Sequence, residues 1–320
     1  MVGTQLLDAR QHLRRVVAAS AAVVLVGFAA VPVSAEPLFG LSGVASPAGM
    51  ATDHAHNRYW VLAATGGRIT LNAYEADGTA DGAFNSRDYV YNMQGLAFVD
   101  GNAYVGDIGG VRPSVDIYRV RDPWPGTEIN HARIHSLSYP DGSHTAMALL
   151  VDADRRISVV TGGDDPGIYQ APEKAPAGES SPLTRVADAP SGVTDGTVLL
   201  DGRIVLRDAS RLYTLDPDTY EVVDEADIGD AENGQSLTEA LGADGVITAA
   251  TAAGEVTRHE VPGPEPATAE PTPEPSTSVA EPDEPDEPEP AIVQTGFRWA
   301  VLGGAAVAGL AALVVLLRRR

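Results

Sequence analysis

The sequence predicts an all-β head, a β-propeller of five blades, with six as the alternative. Three observations predict it. Short paired strands recur along residues 36–261. The second strand of each pair carries an aromatic ring at one position: Tyr74, Tyr118, Tyr169, Tyr213 and, in the fifth, His259. These positions lie roughly 44–51 residues apart, the period of four-stranded sheets stacked in a ring. Each unit also opens with small residues before an apolar run, as an innermost strand packed against its neighbours would.

The strand pairs are expected at Tyr59–Ala63 with Ile69–Tyr74, Ala103–Gly106 with Val115–Val120, and Ile157–Thr161 with Gly167–Tyr169. Two more follow, Arg203–Arg207 with Arg211–Leu215 and Val246–Ala250 with Val256–Val261. Each run is short, rich in β-branched or aromatic residues, and bounded by Gly, Asp or Asn. The blade openings are Ala48–Ala51, Gln94–Ala97, Ala146–Leu149, Asp195–Val198 and Thr238–Leu241. Arg133–Ser138 and Glu221–Asp227 read as polar outer strands. Pro37–Ala45 either forms a degenerate sixth blade or completes the last one and closes the ring.

The flanks predict an address. Residues 1–35 read as a secretory signal: Arg10, Arg14 and Arg15 precede an apolar run, and Val33-Ser34-Ala35 suits cleavage after Ala35. The other reading is an uncleaved anchor helix. Residues 262–291 hold ten prolines and nine acidic residues, with no base. Such a stretch buries no apolar surface and stays extended, reaching roughly 90 Å as polyproline II. The expected stalk runs over 262–298. Trp299–Leu317 is an uncharged apolar run of about membrane-spanning length, followed by Arg318-Arg319-Arg320. Positive charge on the cytoplasmic side places the head outside.

Composition narrows function by exclusion. The net charge of −22 repels phosphate backbones, so nucleic acid is not an expected partner. There is no cysteine, which excludes disulfides, thiolate metal sites and a lipid-modified cysteine. No Gly-x-Ser-x-Gly, His-Glu-x-x-His or phosphate-loop pattern occurs. His54 and His56 would face one way on a strand, as a metal pair does. Asp53–Arg58 reads better as a polar hairpin turn. Asp152-Ala153-Asp154 and Asp164-Asp165 leave structural calcium as an alternative to no cofactor, although Asp is also a preferred turn residue.

Two resemblances add to this. Ile292-Val293-Gln294-Thr295-Gly296, with the helix and basic tail behind it, resembles a sortase sorting signal lacking its proline. Wall linkage after Thr295 and a plain membrane anchor both stay open. In the head, Tyr104–Gly109, Tyr139-Pro140-Asp141-Gly142, Ala148–Asp152 and Val193-Thr194-Asp195-Gly196 resemble stretches of secreted actinobacterial β-propellers. That group is distantly similar to the esterase-like phytase propellers. The resemblance implies a ring of carboxylates at the blade openings. This chain instead has Asn92-Met93-Gln94-Gly95, Thr145-Ala146-Met147-Ala148 and Gly234-Gln235-Ser236. The channel candidates are therefore Asn92, Gln94, Asp107, Asp141, Asp195 and Gln235, and no catalytic residue is assigned. Amides in place of acids weaken cation binding and acid–base work. The expected function is a non-catalytic binding or scaffold module displayed on the envelope, meeting an extracellular ligand or an envelope protein. The alternative is a metal-dependent esterase or phosphoesterase-like hydrolase using channel acids such as Asp107 and Asp195.

Overall fold

The computed structural model describes residues 36–263, except 45–46, 63–66, 230–235, 243 and 250–253. The expected signal, most of the stalk, the span at 299–317 and the basic tail lie outside the described residues. Among the described residues no helix is long and apolar enough to cross a membrane.

Five antiparallel sheets follow one another as blades. The first runs Gly49–Asp53, Arg58–Leu62, Gly67–Glu75 and Ala80–Val90 from the centre outward. The second is Met93–Val99, Asn102–Asp107, Ser114–Arg121 and Arg133–Ser138. The third is Ala146–Val151, Ile157–Thr161, Gly167–Gln170 and Thr184–Asp188, and the fourth Asp195–Val198, Ile204–Arg207, Arg211–Leu215 and Val222–Asp227. The fifth takes three strands from the end of the head, Ser236–Glu239, Val246–Ala249 and Glu255–His259. Its outer strand is the N-terminal Glu36–Gly40, paired antiparallel with Glu255–His259. The early segment thus closes the ring, and the described residues form five blades, with no sixth among them. Each innermost strand packs on the innermost strands of both neighbouring blades, completing the circle.

All five predicted strand pairs are present, in the predicted antiparallel sense. Several boundaries shift by one or two residues; the fifth blade, for one, opens at Ser236 instead of Thr238, because Ser236 pairs with Ala249.

The burial pattern follows from stacking. A second strand has a blade on each side, so Arg58–Leu62 and Ile157–Thr161 are buried at every position. Outer strands face solvent on one side and alternate, as Arg133–Ser138 and Thr184–Asp188 do. The recurring ring marks the seams. Tyr74 packs with the fifth blade's Ile247 and Val256, Tyr118 with the first blade's Trp60 and Leu71, and Tyr169 with the second blade's Ile117 and Leu137. Tyr213 packs against the seam of the third and fourth blades, and His259 bonds Thr248 at 3.1 Å inside the fifth. Each buried tyrosine removes about 150–250 Å² from water, so Tyr74, Tyr118 and Tyr169 each add a large apolar contact to a seam.

Two short strands had no sequence signal. Glu128–Ile129 leaves the second blade to run parallel to Ala80–Val90, and Ser180–Pro182 leaves the third to run parallel to Arg133–Ser138. Each reaches back onto the edge of the preceding blade.

Candidate functional site

The innermost strands all begin on one face of the ring, here the front, and end on the other, the rear. At the front the backbones nearly touch. Gly95 N–H donates to Ala48 O at 2.9 Å. A Cβ on Gly49 would lie 2.7 Å from Leu96 N, and one on Gly95 (φ +79°) 2.8 Å from Leu149 Cβ. The small-residue openings exist because larger side chains would force the blades apart.

The front holds the sequence candidates, and their polar atoms hold the fold. Asp107 ends the second strand of its blade, and Oδ1 accepts from Asn92 N at 3.0 Å and Arg112 Nη2 at 2.5 Å. Asn92 itself is exposed, and its carbonyl accepts from Gly109 N at 3.1 Å. Gln94 donates from Nε2 to Met147 O at 3.0 Å, tying the second blade to the third. Asp141 is exposed beyond the second blade's outer strand, accepts from Tyr169 Oη at 2.7 Å and bonds His144 Nε2 at 2.8 Å. That carboxylate, in turn, helps burial push the Tyr169 hydroxyl up to about 12. Asp195 accepts from Gly196 N and, across the seam, from Leu237 N, both at 2.8 Å. Burial pushes its carboxyl up to about 8, against those donors and the pull of Arg207. Gln235 lies outside the described residues. The five described candidates fall into three groups: Asn92, Gln94 and Asp107; Asp141; and Asp195. None of them lines the cavities described below.

The rear face is different. There the five innermost strands end around a cup of about 400 Å³. Its wall is largely apolar, with Ala97, Phe98, Leu149, Val151 and Val198. At one side His54 Nε2 meets Glu239 Oε2 at 3.0 Å. The same Glu239 oxygen accepts from Leu200 N at 3.0 Å. Below them Thr52 Oγ1 donates to Glu239 O at 2.5 Å and lies 2.9 Å from Thr238 Oγ1, fixing the first blade to the fifth. Thr197 adds a hydroxyl to the wall, and exposed Leu200 an apolar lip. Among the described residues no arginine or lysine lines the cup, while Asp53, Asp100 and Glu239 do.

His54 and His56 sit in the hairpin turn, as their polar setting suggests, and they diverge. His54 turns to Glu239, and His56 Nδ1 to Asp53 Oδ2 at 2.8 Å. The other acidic runs also serve turns. Asp152 Oδ1 accepts from Arg156 N at 2.8 Å, and Asp165 pairs with Arg185 at 2.9 Å. Among the described residues no three His, Asp or Glu side chains gather into a metal-binding group. Sequence reading missed the His54–Glu239 pair. The two residues are 185 apart, and only the closure of the first blade against the fifth joins them.

No protein-family model and no curated protein matches the chain. Solved structures do resemble it. A luciferin-regenerating enzyme superposes with a TM-score of 0.44 at 12% identity, over 71% of this chain and 95% of that one. A Xanthomonas campestris gluconolactonase gives 0.41 at 12%, over 72% and 90%. A putative gluconolactonase gives 0.42 at 13%, over 73% and 94%. These neighbours share the propeller architecture. They also correct one expectation. The neighbours described by an activity are enzymes, so the expectation of a non-catalytic binding or scaffold module does not stand.

Proposed function

We propose that the head is a hydrolase of small neutral carboxylic esters, open-chain or cyclic, acting in the rear cup. One observation carries this: the 3.0 Å His54–Glu239 pair at the side of an apolar cavity of about 400 Å³. His54 Nε2–H donates to Glu239 Oε2, which holds the tautomer that leaves Nδ1 with a lone pair. His54 is then a general base and Glu239 its positioning residue. Water attacks the ester carbonyl carbon as Nδ1 takes the water's proton. The tetrahedral intermediate collapses, the C–O bond to the leaving group breaks, and the imidazolium returns the proton to the departing alkoxide. The products are an acid and an alcohol, or one hydroxy acid from a ring. The acidic lining disfavours phosphate esters, and the apolar wall suits an uncharged body. Channel acids Asp107 and Asp195 have no part in this chemistry, and no step is routed through a metal.

The flanking segments support display of this head on the outer face of the envelope. The supports are the signal-like residues 1–35, the acidic stalk and the apolar run Trp299–Leu317 before three arginines. Protease shaving of intact cells should release a head-sized fragment, and protection of the head would reverse the orientation.

The chemical test is hydrolysis of a panel of aryl esters and lactones by the full chain. His54→Ala should lower kcat/KM about 10²–10⁴-fold, the usual worth of a general base. Turnover no faster than buffer across the panel, or full activity in His54→Ala, would sink the reading.

A further inference from the structure

The seam between the second and third blades holds a second cavity, of about 520 Å³, within the usual range for small-molecule sites. Three strands of the second blade bring their side chains to its wall. Tyr104 lies directly opposite Arg119, and Arg119 opposite Arg133. His135, two residues on from Arg133, shares that face. The third blade contributes Arg155 and Arg156 from a hairpin turn and Lys174 from the connection that ends in Ser180–Pro182.

The charge here opposes that of the whole molecule. Arg119, Arg155, Arg156 and Lys174 line the cavity against only Asp154 and Glu173, in a chain of net charge −22. Lys174 is the sole lysine of the sequence. Arg156 reaches Glu173 only at 3.8 Å and Arg155 reaches Asp100 at 3.6 Å, whereas Arg119 forms no ion pair among the described residues.

Among the described residues two buried polar atoms of this wall lack a hydrogen-bond partner, His135 Nε2 and Arg156 Nε, and Tyr104 Oη has only the Arg119 guanidinium beside it. Tyr104 is 1% and His135 8% exposed. A buried polar atom that nothing meets forfeits the hydrogen bond it had with water. His135 donates from Nδ1 to Ala175 O at 2.9 Å, which leaves Nε2 as an acceptor. Burial, with Arg119 and Arg133 nearby, pulls this imidazole down and keeps it neutral.

We infer that this seam binds a small phosphate monoester with a hydroxylated body, a sugar phosphate in class. The excess of two positive charges matches a phosphate dianion, and donors from different walls suit a tetrahedral group better than a planar carboxylate. Arg119 and Tyr104 hold the phosphate. A ligand hydroxyl donates to His135 Nε2, the one of these atoms that can only accept. The site is independent of the ester chemistry in the cup and is tested by binding alone.

Calorimetry on the detergent-solubilised full chain, with glucose 6-phosphate, inorganic phosphate and glucose as probes, reads this out. Glucose 6-phosphate should bind most tightly, inorganic phosphate more weakly, and glucose not at all. Arg119→Gln should weaken both phosphates by about tenfold or more, and Lys174→Gln by roughly threefold. His135→Phe should bring glucose 6-phosphate down to the affinity of inorganic phosphate and leave the latter unchanged. Should Arg119→Gln fail to fold, Arg155→Gln on the exposed turn carries the same test. Saturable binding of glucose, no heat from either phosphate at millimolar concentration, or unchanged affinity in the arginine variants would overturn the proposal.

Discussion

The two faces of the propeller use acidic residues in opposite ways. At the front, Asp107 and Asp195 are buried and bonded to backbone N–H groups, each linking one segment to another. At the rear, Glu239 is partly exposed and bonded to a histidine beside an open cup. A carboxylate such as Asp195, which already accepts from two backbone donors, one of them across a seam, has little left for a ligand. One that fixes a histidine tautomer hands its influence to a free nitrogen. Position in a channel is therefore a poor guide to chemistry, and the hydrogen-bond partners are a better one.

Substitutions can break this contrast. The largest effect is expected from Asp195→Ala, which strands the buried Gly196 and Leu237 N–H donors. Leaving two such donors unmet costs about 2–6 kcal/mol, or roughly 4–24 °C in a domain of this size. Thermal unfolding should show the loss, while the folded fraction keeps its ester turnover. Glu239→Gln should do the reverse. It should lower kcat about 10–100-fold with a stability change under about 1 kcal/mol, since the pair is partly exposed. A variant that unfolds without losing turnover would assign Glu239 to the scaffold instead.

A pH series sharpens the same contrast. The folded protein holds the Asp195 proton to about pH 8, whereas the unfolded chain releases it near 3.8. Its contribution to stability is thus complete below about pH 4 and is lost as pH rises through 8. His259, depressed by burial and Arg207 to about 4, works the other way. Its contribution is complete above 6.5 and is lost as pH falls through 4. Between pH 6.5 and 8 only Asp195 of this pair slopes. The melting temperature should fall across that window in the native chain and stay nearly level in Asp195→Asn. The smallest effect is expected at the lip. Leu200→Ser should raise KM about threefold with kcat unchanged, the loss of one apolar contact.

The ring was legible because its signals are local and repeated. Tyr74, Tyr118, Tyr169 and Tyr213 each mark a third strand, and the alternation of Arg133–Ser138 marks an outer one. The parallel additions Glu128–Ile129 and Ser180–Pro182 were not legible, since two or three residues carry no period. They matter, because the second of them anchors one wall of the basic seam. The site was hidden for another reason. His54 and Glu239 look ordinary alone, the one in a turn and the other at a strand end, and only closure of the circle brings them within 3.0 Å. Asp107 and Asp195 were legible as inward-facing acids, but the sequence could not reveal that backbone donors already occupied them.

That Glu36–Gly40 supplies the outermost strand of the last blade has a kinetic consequence. The first residues of the head to be synthesised must wait for the last before they can pair, as the bond between Arg258 and Glu36 spans 222 positions. Until then the fifth sheet offers a bare edge, and a neighbouring chain's Glu36–Gly40 fits it as well as its own. High concentration during refolding should therefore yield head-exchanged dimers, in which each molecule lends its first strand to the other.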